Sequence, residues 1–375
     1  MSNKPVVVYG ASGYTGRLIC EYLREYHVPF VAAGRDADRV TASMGTNVAG
    51  IETADFEVVQ VDHDVESLTD LFKGASVVLN TVGPFGKWGP EAVEAALAAG
   101  VHYTDTTGEQ DWLITCDEQY GADFAAAGLL LAPGIAQMYT TSEIAAEVCL
   151  ETPGLDTLDI AVFWGGSPTI ASTQTILFNA ALAGANYLEQ GTYQAWNPEA
   201  GLYQLAIPGH HELAMALPWG GMSHPVWYRK DPRVANVKAL GGVFNKALMQ
   251  GVPQIVAAAI EATADMDADE KYAALQATAA QVMNQMPPRE NPRVNKSLDS
   301  VHASGPLGRA HCVIHGNQNY KQTGALQAYA AYSLLQQPPK RVGFASGCQA
   351  FGHRELLGVL RSFGLVMAPE LTIHH

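Results

Sequence analysis

Three observations predict an α/β chain, with a doubly wound parallel sheet (Rossmann) followed by a second α+β substrate or dimerisation domain. Short β-rich runs alternate with helical periods over the first 132 residues. The runs VVVY, VVLN and LLLA are apolar throughout, and a glycine-punctuated turn joins the first of them to an amphipathic helix. Strands buried on both faces read as continuous apolar runs, as a parallel sheet flanked by helices requires.

The elements follow in order. Strands are expected over residues 5–10, 29–34, 57–61, 76–81, 102–104 and 129–132, and helices over 13–26, 36–44, 65–72, 89–99 and 110–127. After Pro133-Gly134 the pattern changes to a helix over 137–149, a strand over 157–164 (TLDIAVFW), and a segment rich in Gly, Pro and aromatics that holds Trp164, Trp196, Trp219 and Trp227. Helices are expected over 254–264 and 269–286, then the hinge MPPRENPR, a strand over 309–316, a helix over 323–336, the segment VGFASG and a helix over 351–363. The expected domains are 1–133, 134–340, and a segment 341–375 that returns to the first domain, with His374-His375 as a tail.

Of the 375 residues, 48% are hydrophobic and 16% charged, enough apolar content for a sizeable core and too much for a disordered chain. The 22 Lys and Arg against 37 Asp and Glu give a net charge of -15, with no basic run, which excludes nucleic acid as an expected partner. No stretch reaches the roughly 18–20 apolar residues of a membrane span, and no signal segment opens the chain. Cys20, Cys116, Cys149, Cys312 and Cys348 are scattered, odd in number and without a CxxC pair, so free thiols and a cytoplasmic address are expected. The charged fraction lies below the typical ~25%, which suggests surface buried in a homodimer.

In VVVYGASGYTGRLICEYL, Gly10, Gly13 and Gly16 form a GxxGxxG turn between strand and helix. Such glycines let the backbone approach a pyrophosphate, whose charge meets free amides and the positive end of the helix dipole, with Ser12 and Thr15 as added donors. The second strand ends VAAGRDADR. An NAD site places an acid at the strand end, whereas Gly34 stands here and Arg35 follows, a planar fork suited to a 2′-phosphate, with Arg39 beyond it. The expected cofactor is NADP; the other reading has Asp36 holding the ribose. At the end of the fourth strand Asn80, Thr81, Val82, Gly83, Pro84 and Phe85 form a loop where a nicotinamide would lie, and the fifth strand delivers His102, Tyr103, Asp105 and Glu109 to the same face.

These four segments, GASGYTGR, AGR, VVLNTVGPFGKWG and GVHYTDTTGE, resemble the saccharopine dehydrogenase-like oxidoreductases, including the trans-acting enoyl reductase branch, over about the first 130 residues. The resemblance implies an NADP-binding domain with a second domain closing over a small-molecule substrate. It also implies cofactor contacts from Gly10, Ser12, Gly13, Tyr14, Thr15, Gly16, Arg35, Val82, Gly83, Pro84 and Phe85. After LLLAPG the chain reads IAQMYTTS, where the enoyl reductase branch has an Asp-Ser-Pro-Ser type segment.

A short-chain dehydrogenase needs a Tyr with Lys four residues on, and none of the 15 tyrosines has one. Catalytic candidates are therefore Tyr103 and Lys87, with Tyr139, Tyr228 and His210-His211 behind them. No HExxH, cysteine cluster or GxSxG appears, so no metal and no hydrolase elbow is expected. The aromatic residues Trp164, Phe178, Tyr187, Tyr193, Trp196, Tyr203, Trp219, Trp227, Tyr228 and Phe244 suggest an apolar pocket wall, or equally a packed core. The leading expectation is NADPH-dependent reduction of a polarised double bond, C=C of enoyl type, in a hydrophobic small molecule. Amino-acid oxidoreduction through an imine is the alternative, with Arg229, Arg233, Arg289, Arg293 and Arg309 available for carboxylates. A non-catalytic NADP sensor is another.

Overall fold

A computed structural model describes residues 4–182, 184–197 and 200–374, so His375 of the expected tail lies outside the described residues. The chain forms two compact units. The first takes the residues up to Thr107, Trp112–Thr140 and Tyr320–Leu365; the second takes Gly108–Asp111, Thr141–Asn319 and the residues from Val366 onward. The expected linear boundaries at 133 and 340 thus stand against a chain that passes between units several times. Strands are numbered β1–β16 in chain order.

The first unit holds β1 (Val6–Tyr9), β2 (Phe30–Gly34), β3 (Phe56–Gln60), β4 (Val77–Asn80), β5 (His102–Asp105), β6 (Leu130–Ala132) and the two-residue β15 (Gly343–Phe344). They form one parallel sheet in the order β15-β6-β5-β4-β1-β2-β3. Residues of β1, β2 and β4 are buried throughout, which explains their apolar runs, and three of the four residues of the polar β5 (HYTD) are buried as well. The strand order reverses between β1 and β4, the switch point where doubly wound sheets open a crevice at the strand carboxyl ends. Register sets Tyr9 level with Ala33 and Asn80, and Asn80 level with Asp105, so those ends share one edge.

Several helices differ from the sequence expectation, among them the two that follow β4 and β5. The helix after β4 spans Phe85–Ala99 and starts four residues early, with Pro84 as its N-cap and Pro90 inside. Trp88 N–H already donates to the Pro84 carbonyl, so Pro90 forfeits only one early bond. The expected helix over 110–127 is split into Gln110–Thr115 and Gly121–Ala126 by a wider turn at Cys116–Tyr120.

The second unit is built on a mixed sheet in the order β16-β14-β13-β7-β12-β8-β9. Its strands are β7 (Thr157–Trp164), β8 (Asn186–Glu189), β9 (Thr192–Ala195), β12 (Asn236–Val243), β13 (Lys296–Gly305), β14 (Gly308–Asn317) and β16 (Glu370–His374). Only β7 and β12 run parallel among these pairs. A ribbon of β10 (Tyr203–Leu205) and β11 (Ala214–Ala216) covers part of one face, where Ala214 and Ala216 pack with Phe163, Leu298 and Val313. Gly242 lets the ribbon in, since a Cβ there would stand 2.7 Å from the Phe163 ring and collide with the Met215 carbonyl. The helices Ile170–Leu182, Lys246–Ala262 and Ala268–Val282 meet around Phe178, Ala259 and Leu275. The expected tail is instead strand β16, paired to β14 from Arg309↔His374 to Val313↔Glu370.

Candidate functional site

The cradle of the first unit starts at Gly10, whose φ of +89° only glycine adopts readily. A Cβ on Gly10 would lie 2.6 Å from Thr81 Oγ1, and one on Gly16 would lie 2.5 Å from the Gly10 carbonyl oxygen. The helix Tyr14–Glu25 has Gly13 at its N-cap, no side-chain cap and no acid in its first turn. The next two helices each begin under an aspartate, Asp36 accepting from Arg39 N–H and Asp64 from Ser67 N–H. That contrast leaves the first helix with its N-terminal amides and positive dipole end suited to an anion. Tyr14 is buried, edge-on to Tyr320, so only its backbone faces the turn; Ser12 and Thr15 are partly exposed.

At the end of β2, Arg35 and Arg39 are exposed while the Asp36 carboxylate caps the following helix at 2.9 Å. The cap uses Oδ1 of Asp36, and the guanidinium of Arg35 stands exposed at the strand end beside it.

The loop after β4 is braced from below. Thr81 Oγ1–H lies 3.0 Å from the Tyr9 carbonyl and 3.1 Å from that of Gly10, and Val82 N–H donates to Asn80 Oδ1 at 2.8 Å. The Gly83–Pro84 bond is cis, and Gly83 lies against the Phe85 ring. Lys87 sits in the first turn of the helix Phe85–Ala99, half-buried, with its ammonium 5.3 Å from the centre of the Trp88 ring.

Tyr103 lies beneath this loop. It is fully buried; its hydroxyl accepts from Asn80 Nδ2 at 2.9 Å and donates to Asp105 Oδ2 at 3.1 Å. The other Asp105 oxygen accepts from Thr107 and Gly134 N–H, both at 2.9 Å, and Oδ2 also accepts from Trp112 Nε1–H at 3.2 Å. Burial pushes the Asp105 carboxyl up to about 6 against the pull of those donors. Asp105 and Asn80, expected at the face of the nicotinamide loop, thus form the hub of a buried hydrogen-bond network. The available signal was the two-residue strand period, which sets Tyr103 and Asp105 on one face. His102 is half-buried; its Nδ1 accepts from Leu130 N–H at 2.9 Å, and burial lowers its pKa.

The second unit distributes the expected aromatic wall over several places. Trp164 and Trp219 line an apolar cavity of about 60 Å³ with Ile176, Leu177, Val252 and Ile255. Tyr187, Trp196 and Tyr203 wall a larger groove of about 660 Å³ with Asp159, Lys238 and His302, which register places side by side on three strands. Phe178 stacks on Tyr272 and Phe244 on Phe163. Trp227 and Tyr228 are core, and the Tyr228 hydroxyl donates to Glu147 at 3.0 Å. His210 stacks on Phe244. Among the candidate arginines, Arg233 bonds Glu147 and Asp231, and Arg229 lies over the Tyr193 ring. Asp299 of β13 went unnoticed in the sequence. It is fully buried, neither oxygen has a hydrogen-bond partner among the described residues, and desolvation raises its pKa well above the usual range.

Residues 6–127 match the saccharopine dehydrogenase NADP binding domain. Residues 140–375, more than half of the chain, match the family of unknown function DUF5938. The chain belongs to the DUF5938 family.

This DUF5938 member is 32% identical over 136 residues to a lipid droplet localized protein of Caenorhabditis elegans, covering 34% of this chain and 32% of that one. It is 36% identical over 110 residues to a trans-acting enoyl reductase of Mycobacterium leprae, covering 28% and 25%. The chain therefore spans about a third or less of the length of these curated relatives. The solved saccharopine dehydrogenase (L-Glu forming) of Saccharomyces cerevisiae matches with a TM-score of 0.61 at 14% identity, over 98% of this chain and 100% of that one, and shares the fold. The resemblance read from the four motifs is borne out, and NADP is the cofactor of the first domain. The glycine cradle, the uncapped helix and the exposed Arg35 fit that group.

Proposed function

We propose that this DUF5938 member is an NADPH-dependent reductase of a polarised double bond, C=C of enoyl type, in a hydrophobic small molecule. The carrying observation is the end of β2, where Arg35 is exposed and Asp36 is committed to a helix cap. Gly10, Gly13 and Gly16, with the amides of Ser12, Tyr14 and Thr15, hold the pyrophosphate, and Arg35 grips the 2′-phosphate through its planar fork. Val82, Gly83, Pro84 and Phe85 wall the nicotinamide. Bound NADPH supplies the hydride for one carbon of the double bond.

A proton must reach the partner atom, and Lys87 in the turn after the loop is the donor in this reading. Tyr103 acts as a positioning residue, because its proton is already held by Asp105 inside the domain. The likeness to a trans-acting enoyl reductase supports a hydrophobic enoyl-type substrate. The engagement of Arg229 and Arg233 weighs against a dicarboxylate substrate. The reading also has the protein as a cytoplasmic homodimer, supported by five free cysteines and a sparsely charged composition.

NADPH oxidation across a panel of enones and preformed cyclic imines tests it. Turnover of an enone, weakened in Arg35→Ala at limiting cofactor, is expected. Turnover of the imine alone moves the protein to amino-acid chemistry. Cofactor binding with no turnover of any panel member makes it a sensor.

A further inference from the structure

The outer strand of the second unit is written so that it complements itself. β16 reads Glu370-Leu371-Thr372-Ile373-His374, and it forms one end of its sheet, pairing only with β14 among the described strands. All five residues are exposed; Leu371 is 39% and Ile373 41% exposed. Proteins usually blunt a free edge with lysine, proline or a bulge, and none of these interrupts this strand.

An antiparallel copy of the strand, related by a two-fold axis through Thr372, sets Glu370 opposite the second copy's His374 and Leu371 opposite its Ile373. Each carboxylate then faces an imidazole, and the register Arg309↔His374 adds a guanidinium behind that imidazole on the same face. On the other face, two Leu–Ile pairs form an apolar strip where each chain alone exposes both side chains to water. Opposite charges and apolar residues directly across two strands are the pairs that stabilise a sheet. Because the side-chain period is two, the residue-centred register is the one that aligns all five residues. The other end of the sheet lacks this property: β9 reads Thr192-Tyr193-Gln194-Ala195 and carries no charge to pair.

We infer that two copies of this chain associate through β16 by isologous antiparallel pairing, joining their second sheets into one continuous sheet. This rests on the homodimer reading above and names its interface. Five residues per strand are a small contact beside the roughly 1,200–2,000 Å² of stable interfaces, so the association is concentration-dependent.

Sedimentation velocity of the full chain over a dilution series reads it, for wild type, Glu370→Lys, His374→Glu and the double variant. Both substituted positions, Glu370 and His374, carry exposed side chains, so the fold is retained, and far-UV circular dichroism checks it. Each single change sets like or unfavourable charges at two symmetry-related pairs and is expected to weaken the dimer about fivefold or more. The double variant restores opposite charges with the signs exchanged and is expected to return to within about threefold of wild type. A dimer indifferent to the single changes, or a double variant as weak as the singles, overturns the β16 interface and leaves the homodimer standing. A wild type that is monomeric at every concentration overturns both.

Discussion

Tyr103 donates its hydroxyl proton to Asp105 at 3.1 Å while accepting from Asn80, whose own side-chain oxygen takes the amide of Val82. A buried phenol is thereby linked through two hydrogen bonds to the backbone of the loop proposed to wall the nicotinamide. Tyr103→Phe leaves the Asn80 donor and one Asp105 contact unmet, at a cost of about 1–3 kcal/mol. The expected outcome is a lower Tm and weaker NADPH binding by fluorescence titration, with the pH dependence of turnover unchanged. A turnover that loses its ionisation profile in Tyr103→Phe would restore the tyrosine as proton donor.

Asp105 makes the stability of the first unit pH-dependent. Its folded pKa of about 6 lies above the ordinary 3.8. The folded chain therefore keeps a proton that the unfolded chain releases between those values, and stability falls as pH rises through about 6. The two-unit rise corresponds to about 3 kcal/mol across that window. Asp105→Asn removes this slope from a urea-unfolding series at pH 4–7. It also lowers Tm at pH 5, because an amide NH₂ replaces an acceptor in front of Trp112.

Asp299 predicts the opposite response to substitution. Burial without a hydrogen-bond partner raises its pKa, so its neutral form carries whatever stability it gives, and that is lost as pH rises through the shifted value. Asp299→Asn cannot ionise. Thermal unfolding should find the variant more stable than wild type at pH 8 and the gain reduced at pH 5; equal gains at both would mean that ionisation is not involved.

Cofactor preference rests on Arg35. Removing its charge-assisted hydrogen bonds by Arg35→Ala is expected to weaken NADPH binding by roughly 10–100-fold and to leave NADH almost unchanged. Calorimetric titration of both nucleotides separates this from a general loss of fold, which would weaken the two alike.

Gly16→Ala tests the cradle. The added methyl would stand 2.5 Å from the Gly10 carbonyl and 2.8 Å from Ala11 Cα, both backbone atoms that cannot swing aside. Overpacking of this kind costs about 1–3 kcal/mol, and nucleotide affinity should drop with Tm.

The first unit was legible because its strands are buried on both faces and show it in unbroken runs such as VVVY and VVLN. In the second, TLDIAVFW and RAHCVIHG were legible as β7 and β14, whereas β12 (NVKALGGV) and β13 (KSLDSVHASG) were not, since they alternate apolar with small or polar residues, and Gly242 of β12 admits the ribbon. The helix expected from 254 in fact runs from Lys246 through Pro253, and ELTIH alternates apolar and polar residues over only five positions, too few to set a strand apart from a tail. At the site, the glycine turn was readable because backbone geometry dictates it locally. The network around Asp105 was not, because Asn80, Trp112 and Gly134 come together only through the order of strands in space.

The first unit reclaims the chain before the second is finished: Tyr320–Leu365 belong to the first, β15 at Gly343–Phe344 finishes its sheet, and the residues from Val366, with β16, return to the second. During synthesis the glycine cradle leaves the ribosome early, yet the sheet behind it lacks its outermost strand until about residue 344 has been made. At roughly 5–20 residues per second, that interval between the cradle and its last strand is of the order of tens of seconds. A nascent chain arrested near residue 140 would therefore display the nucleotide turn on an incomplete domain, exposed to chaperones, and neither unit can be excised as one uninterrupted piece of gene.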